Sequence, residues 1–414
     1  MQIKFHSSIE LTDSNFEKYF KRFKHLVERE DIGFFRLTDN QSLIDEVKSM
    51  ADKFADRKNF IQVGIGGSAL GPEMLVNALS PSNKNFYCFD NPDSDYLARL
   101  VEKINLEESL FYVVSKSGGT AETIACYSML RNQLYAAGIK DLENYFVFCT
   151  DPSSGELRKH VDENQYDCLA VPSNIGGRFS VLSPVGLFPA YFMGLNIDEL
   201  FAGANSIKAN ILNSDFHQND LFKTAELVSQ AYKKGIDQTV LMPYSTLMRS
   251  FSSWFVQLWA ESLGKRKGDS SVGLTPIPAY GATDQHSQVQ LFMEGPNNKL
   301  LFLVEILDRK NNFPLDSGLE LSRGKKLSPF SMNDLIHAEF RGNLEALKEN
   351  GRNLVEITIK NLDEKSMGAM IMFFESLTAL MGEFLEIDAF NQPGVELGKK
   401  YTFEFLDSLS TQKV

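Results

Sequence analysis

Gly64-Ile65-Gly66-Gly67-Ser68-Ala69-Leu70-Gly71-Pro72 follows the apolar run Phe60 to Ile65 and leads into a helix-like segment. A strand that closes on glycines and reopens as a helix is the start of a β-α-β unit. Glycines let the backbone turn sharply and let an anion approach its N–H groups. Working outward, the runs Asn85 to Phe89, Leu110 to Ser115, Tyr145 to Thr150 and Asp167 to Val171 also read as strands. The intervening segments read as helices, the clearest being Thr120 to Ala137, which stops at Gly138. Five strands joined by four helices predict a parallel, doubly wound sheet, since parallel neighbours need helical crossovers. Upstream, residues 1 to 55 read as helical, with Phe16, Phe20, Phe23 and Leu26 on one helix face. Downstream of Asn196 the alternation restarts: helix 218–234, strand 237–243, helices 249–264 and 284–294, strand 299–306, helix 331–349, strand 353–360 and helix 365–385. No Gly/Ser linker separates the two α/β units, so they are expected to pack as one body with the site between them. Ligands of such sheets bind beyond the carboxyl ends of strands, which directs attention to the loops after Ile65, Ser115 and Val171.

The 414 residues carry a net charge of -12, which gives no overall attraction to nucleic acid or anionic lipid. The most apolar stretch, Met370 to Met381, is interrupted by Glu375 and is too short to span a bilayer. Met1 to His6 shows no apolar leader, and Cys88, Cys126, Cys149 and Cys168 are scattered without a C-x-x-C pair. These features predict a soluble, cytoplasmic protein with buried thiols, no nucleic-acid partner and no membrane partner.

Three loops carry chemistry. The first, with Gly64-x-Gly66-x-x-Ala69 and Asp90 ending the next strand, satisfies a dinucleotide fingerprint and alone would favour a nicotinamide enzyme; a plain tight turn is the simpler alternative. The second, Ser115-Lys116-Ser117-Gly118-Gly119-Thr120, opens the long helix. Three hydroxyls, a lysine and a helix N-terminus suit a phosphate monoester, although Ser117 or Thr120 could serve only as a helix cap. The third, Asn174-Ile175-Gly176-Gly177-Arg178-Phe179-Ser180, holds a guanidinium able to stabilise negative charge developing on an oxygen. In the second unit, Gln257 and Glu261 fall four apart on the helix 249–263, beside Phe255 and Trp259. An apolar setting can raise a carboxyl toward the range of a general base, while an exposed helix glutamate is the bland alternative. His286 stands in Gly281-Ala282-Thr283-Asp284-Gln285-His286-Ser287-Gln288, the most polar setting of the six histidines, and no histidine spacing fits a metal site.

Taken in order, Gly66-Gly67-Ser68, Ser115 to Thr120, Gly176 to Ser180, Glu261-Ser262-Leu263-Gly264-Lys265, Asp284-Gln285-His286 and Gln392-Pro393-Gly394-Val395-Glu396-Leu397-Gly398-Lys399 resemble the glucose-6-phosphate isomerase family, shorter bacterial form. Asn391 stands where many relatives have Asp, and Gly119 replaces a hydroxyl residue. The resemblance implies an α/β fold of two sugar-isomerase (SIS) domains, 56–195 and 196–385, each a parallel sheet flanked by helices. An N-terminal helical segment, 1–55, would precede them, and a C-terminal segment, 386–414, would end in a helix. It also implies the interconversion of glucose 6-phosphate and fructose 6-phosphate through a cis-enediol, with no cofactor and no metal. Ser115, Ser117 and Thr120 would hold the phosphate, with Lys116, Ser68, Gly67 and Gly177 nearby. Glu261 would carry the proton between C2 and C1, Arg178 would stabilise the enediolate, and Gln257 and Gln392 would position the sugar. His286 and Lys399 would open the ring, the histidine completing the neighbouring subunit's site in a homodimer. A dehydrogenase leaves the second loop unexplained, and a non-catalytic sugar-phosphate sensor has no use for Glu261, His286, Arg178 and Lys399. Action on mannose 6-phosphate as a side activity stays open.

Overall fold

The computed structural model describes residues 1–11, 16–215, 217–316, 320–321 and 325–412, so the last two residues of the expected C-terminal segment lie outside the described residues. The strands are β1 (Gln2–His6), β2 (Asn59–Val63), β3 (Asn85–Phe89), β4 (Ser109–Val114), β5 (Phe146–Thr150), β6 (Asp167–Ala170), β7 (Gln238–Pro243), β8 (Lys265–Lys267), β9 (Ser270–Val272), β10 (Thr275–Pro278), β11 (Lys299–Asp308), β12 (Glu320–Leu321), β13 (Lys325–Lys326) and β14 (Asn353–Asn361).

The first sheet has the order β3-β2-β4-β5-β6 and is parallel throughout. Its central strands are buried on both faces, as helix-covered parallel sheets require. In β4, Leu110, Tyr112 and Val114 face the central core, while Phe111 and Val113 face an outer layer with Tyr127, Leu130 and Leu134 of the helix Ala121–Ala136. The second sheet has the order β1-β14-β11-β7-β10. One continuous apolar core runs from Phe60 and Tyr112 of the first sheet to Phe302, Val304, Val355 and Ile357 of the second.

The beginning of the chain and the second sheet correct the sequence reading. Residues 2–6 are a strand, not helix, and β1 pairs antiparallel with β14, so the second sheet is mixed at its edge. The period-2 signal is only Ile3 and Phe5, both half-buried against the core, too short a pattern to stand out before an amphipathic helix. Lys4 and His6 fix this edge through Glu356 of β14, at 3.6 and 2.8 Å. The expected helix 284–294 is also divided. A short turn, Thr283–His286, precedes the helix Gln288–Glu294, because the Asp284 carboxylate accepts the Tyr280 N–H and the Ser287 hydroxyl and so competes with helical bonding.

The helix Glu364–Leu385 has the length and apolar content of a membrane span, yet 94% of its 18-residue apolar window is buried inside the protein. It crosses the helix Ile197–Asn213 at backbone contact: a Cβ on Gly203 would sit 1.9 Å from the Lys365 carbonyl oxygen, and one on Gly368 1.9 Å from that of Leu200. The N-terminal helix Phe16–Glu28 seats its aromatic face, as expected, with Phe16 and Phe23 against Phe222 and with Tyr19 against Phe384.

Candidate active site

In the first sheet, the connection leaving β2 runs to β3 on one side and the connection leaving its neighbour β4 runs to β5 on the other, so the two diverge beyond the carboxyl ends of β2 and β4 and open a crevice there. The loops after β2 and β4 are the first and second loops singled out in the sequence. After β2 the chain makes a short turn, Gly66–Ser68, with Gly66 at φ +60°. The buried Gln62 of β2 fixes this turn by donating to the Ser68 carbonyl at 2.7 Å. A Cβ on Gly67 would lie 2.1 Å from the Gly177 carbonyl oxygen, so the first and third loops touch through bare backbone. A Cβ on Gly66 would lie 2.9 Å from Gln257 Nε2. At the position where the dinucleotide fingerprint brings backbone to a pyrophosphate, this protein places a side-chain amide, which removes the support for a nicotinamide enzyme.

After β4, Ser115 Oγ and Thr120 Oγ1 lie 3.0 Å apart, and Ser117 Oγ lies 3.4 Å from Thr120 Oγ1. The three hydroxyls converge at the N-terminus of the helix Ala121–Ala136. Thr120 occupies the cap position without a side-chain cap bond, so its hydroxyl is not spent on the helix. Gly118 has φ +72°, and a Cβ there would meet Leu157 N at 2.8 Å, which presses the loop against the start of the next helix. Lys116 is placed differently from its neighbours: its ammonium donates to the carbonyls of Ser173 and Ile175, both at 2.7 Å, and ties the second loop to the third. Burial pulls its pKa down.

The third loop sends Arg178 inward, 1% exposed. Its Nε donates to Ser262 Oγ at 2.7 Å, Nη1 to Gln392 Oε1 at 2.6 Å, and Nη2 to the carbonyls of Ala389 and Asn391 at 2.7 and 3.1 Å. Nη1 also faces Glu261 Oε1 at 3.2 Å. Burial lowers the Arg178 pKa, with Glu261 and Asp388 acting in the opposite direction, and a guanidinium so placed stays charged. Glu261 keeps 24% of its side chain exposed. Its second oxygen accepts from Gln257 Nε2 at 3.1 Å, so the pair read from helix spacing is bonded, and Gln257 spans from Glu261 to the turn at Gly66. Beside Glu261 lies a cleft of about 950 Å³, lined in part by Lys265, Lys267, Asp388, Gln392 and Val395.

His286 and Lys399 are not brought to this cluster within one chain. His286 is exposed on the turn Thr283–His286, and among the described residues no hydrogen bond or ion pair to its side chain is found. Lys399 lies on the helix Glu396–Gln412 and pairs with Glu396 at 2.7 Å, both exposed. Sequence reasoning missed Gln62, Ser262 and Lys265, the last donating to the Glu261 carbonyl at 2.5 Å. The signal for Ser262 and Lys265 was their place in the Glu261 to Lys265 motif; nothing in the pattern marked Gln62, a polar residue inside an apolar strand.

The profile of the phosphoglucose isomerase family matches residues 37–304 and 333–414. The chain belongs to the phosphoglucose isomerase family. A glucose-6-phosphate isomerase of Carboxydothermus hydrogenoformans is 36% identical over 397 residues, covering 92% of this chain and 86% of that one. A crystal structure of a hypothetical protein from Thermus thermophilus superposes with a TM-score of 0.90 at 32% identity, covering 98% of this chain and all of the other. A glucose-6-phosphate isomerase structure from Chlamydia trachomatis, 22% identical and covering 99% of this chain and 89% of that one, shares the fold at a TM-score of 0.81. As a phosphoglucose isomerase family member the chain is an isomerase with the two-unit sugar-isomerase fold. Every candidate residue from Gly67 to Lys399 falls within the matched ranges, and the unmatched stretch 305–332 contains none of them.

Proposed function

We propose that the chain interconverts glucose 6-phosphate and fructose 6-phosphate, with Glu261 as the base that moves a proton between C2 and C1. The observation that carries this reading is the arrangement of a buried cation, a carboxylate and a hydroxyl-rich loop: Arg178 3.2 Å from Glu261, Glu261 bonded to Gln257, and Gln257 reaching the crevice that the phosphate loop borders. Ser115, Ser117 and Thr120 hold the phosphate with the free N–H groups of the helix start. Gly67, Ser68 and Gly177 shape the crevice by backbone, Lys116 holds its two walls together, and Gln257 and Gln392 orient the sugar.

On the open-chain aldose, Glu261 takes the C2 proton, the electron pair becomes the C1–C2 double bond, and the charge passes to O1. Arg178 stabilises that oxygen while a proton passes from O2 to O1. Glu261 then returns its proton to C1, leaving the carbonyl at C2. One carboxylate suffices because C1 and C2 are adjacent on one face. No external electron acceptor enters this balance, so no redox cofactor is required, and no metal is invoked.

His286 and Lys399 open the ring, His286 acting in the site of a second copy. A homodimer is supported by the helix Glu396–Gln412, whose residues 396–410 are all exposed although they include Leu397, Tyr401, Phe403, Phe405, Leu406 and Leu409. A cytoplasmic location, with no nucleic-acid or membrane partner, is part of the same reading and is supported by four free thiols. The division into units 56–195 and 196–385, with flanking segments 1–55 and 386–414, belongs to it as well. The test is purified, chelator-treated protein given fructose 6-phosphate: formation of glucose 6-phosphate supports the reading, and no formation at any substrate concentration overturns it.

A further inference from the structure

A proton-transferring side chain must be held within about half an ångström of its working position. His286 sits at the end of a four-residue surface turn, which has little rigidity of its own. The turn is fixed from beneath. Gln285, the residue before it, points inward and donates through Nε2 to Tyr244 Oη at 2.7 Å and to the Glu339 carbonyl at 3.1 Å. Tyr244, 1% exposed, lies just past the carboxyl end of β7. Its oxygen accepts a second bond from the buried Asn343 Nδ2 at 2.8 Å, its backbone carbonyl accepts from Arg309 at 2.6 Å, and its ring packs edge-on against Phe340. A Cβ on Gly281 would lie 2.4 Å from the Tyr244 ring, so the chain entering the turn runs directly over that ring. The Glu339 carbonyl can only accept, so it fixes the orientation of the Gln285 amide and makes the phenol oxygen the acceptor of the Gln285 bond.

We propose that Tyr244, acting through Gln285, is a positioning residue for His286, so that the phenol of the second sheet sets the geometry of ring opening without touching substrate. The inference rests on the ring-opening role given to His286. It requires that loss of the Tyr244 oxygen damage the step that needs His286 and spare the step that needs Glu261.

The experiment compares two substrates: glucose 6-phosphate, which is mostly a closed ring, and a tetrose 4-phosphate, which cannot cyclise because its O4 is esterified. Turnover of the first needs ring opening. Exchange of the C2 proton of the second with deuterium does not. Tyr244→Phe is expected to lose about tenfold or more in kcat/KM on glucose 6-phosphate, with little change in KM, and less than about threefold in exchange on the tetrose phosphate. Gln285→Met, which removes both donors without opening a cavity under the ring, gives the same ratio if Tyr244→Phe fails to fold. His286→Ala is the reference and must show a larger loss on the hexose than on the tetrose. If His286→Ala loses both equally, the ring-opening reading of His286 fails. If His286→Ala shows the expected ratio while the folded Tyr244 or Gln285 variant keeps the wild-type ratio, the positioning proposal is overturned and the reading of His286 stands.

Discussion

Arg178 Nη1 lies 3.2 Å from Glu261 Oε1 and 2.6 Å from Gln392 Oε1, so a single buried guanidinium joins the third loop of the first unit, the helix Arg249–Leu263 of the second and the C-terminal segment. With Ser262 and the carbonyls of Ala389 and Asn391, each nitrogen of the fork faces an oxygen. For Arg178 to meet an enediolate oxygen, one of these partners must yield. If Glu261 is the base, its taking up the C2 proton is that moment, because its attraction for Nη1 falls as charge appears on the substrate.

Arg178→Lys keeps the charge but loses the fork. It should reduce kcat by about a hundredfold or more. It should also lower the melting temperature, because Ser262 and the Ala389 and Asn391 carbonyls lose their donors. Steady-state kinetics together with a thermal melt check this; a variant with normal kcat would remove Arg178 from the chemistry.

Replacing Ser115, Ser117 and Thr120 together by Ala should raise KM for fructose 6-phosphate on the order of a hundredfold, through lost bonds to a charged group. Inhibition by other sugar phosphates should weaken in parallel. An unchanged KM would place the phosphate elsewhere.

Lys116→Met should destabilise the protein by about 2 kcal/mol, since it leaves the Ser173 and Ile175 carbonyls without their donor. Denaturant unfolding measures this. Stability equal to wild type would show that the tie between the two loops carries no weight.

Glu356 supplies a pH prediction. Burial alone raises its pKa, but bonds from His6 and Arg341 and the nearby charges more than reverse this, so the folded value lies below the ordinary one. A depressed carboxyl pKa gives stability that is present above the unfolded value and is lost as pH falls through the folded value. Arg341 bridges Glu356 and Glu305, at 2.8 and 2.6 Å, and Arg341→Met leaves both buried carboxylates short of their partner. The variant should be less stable by about 3 kcal/mol or more at neutral pH. The gap should narrow on acidification below the unfolded carboxyl range as Glu356 protonates. Denaturant melts at neutral pH and at a pH just below that range check this; a gap that widens with acid contradicts the sign.

The first sheet is legible because its five strands are short apolar runs separated by helices of ordinary length, and its site loops begin where the runs end. Gln257 and Glu261 can be paired from helix spacing alone. β1 cannot be read, because five residues with two half-buried apolar side chains give no pattern beyond their pairing with the distant β14. The motif puts the Lys116 ammonium near substrate. Its actual partners are backbone carbonyls of the third loop, which no side-chain pattern announces. His286 and Lys399 are named by motif, and one chain leaves both in solvent.

If Glu261 moves the C2 proton, exchange of that proton with solvent deuterium measures its role most directly. Glu261→Gln keeps the size and the bond to Gln257 but removes the basic carboxylate. Exchange into substrate should fall by about a thousandfold or more, with KM changed only a few-fold. Exchange at the wild-type rate in the folded Glu261→Gln variant would contradict the account.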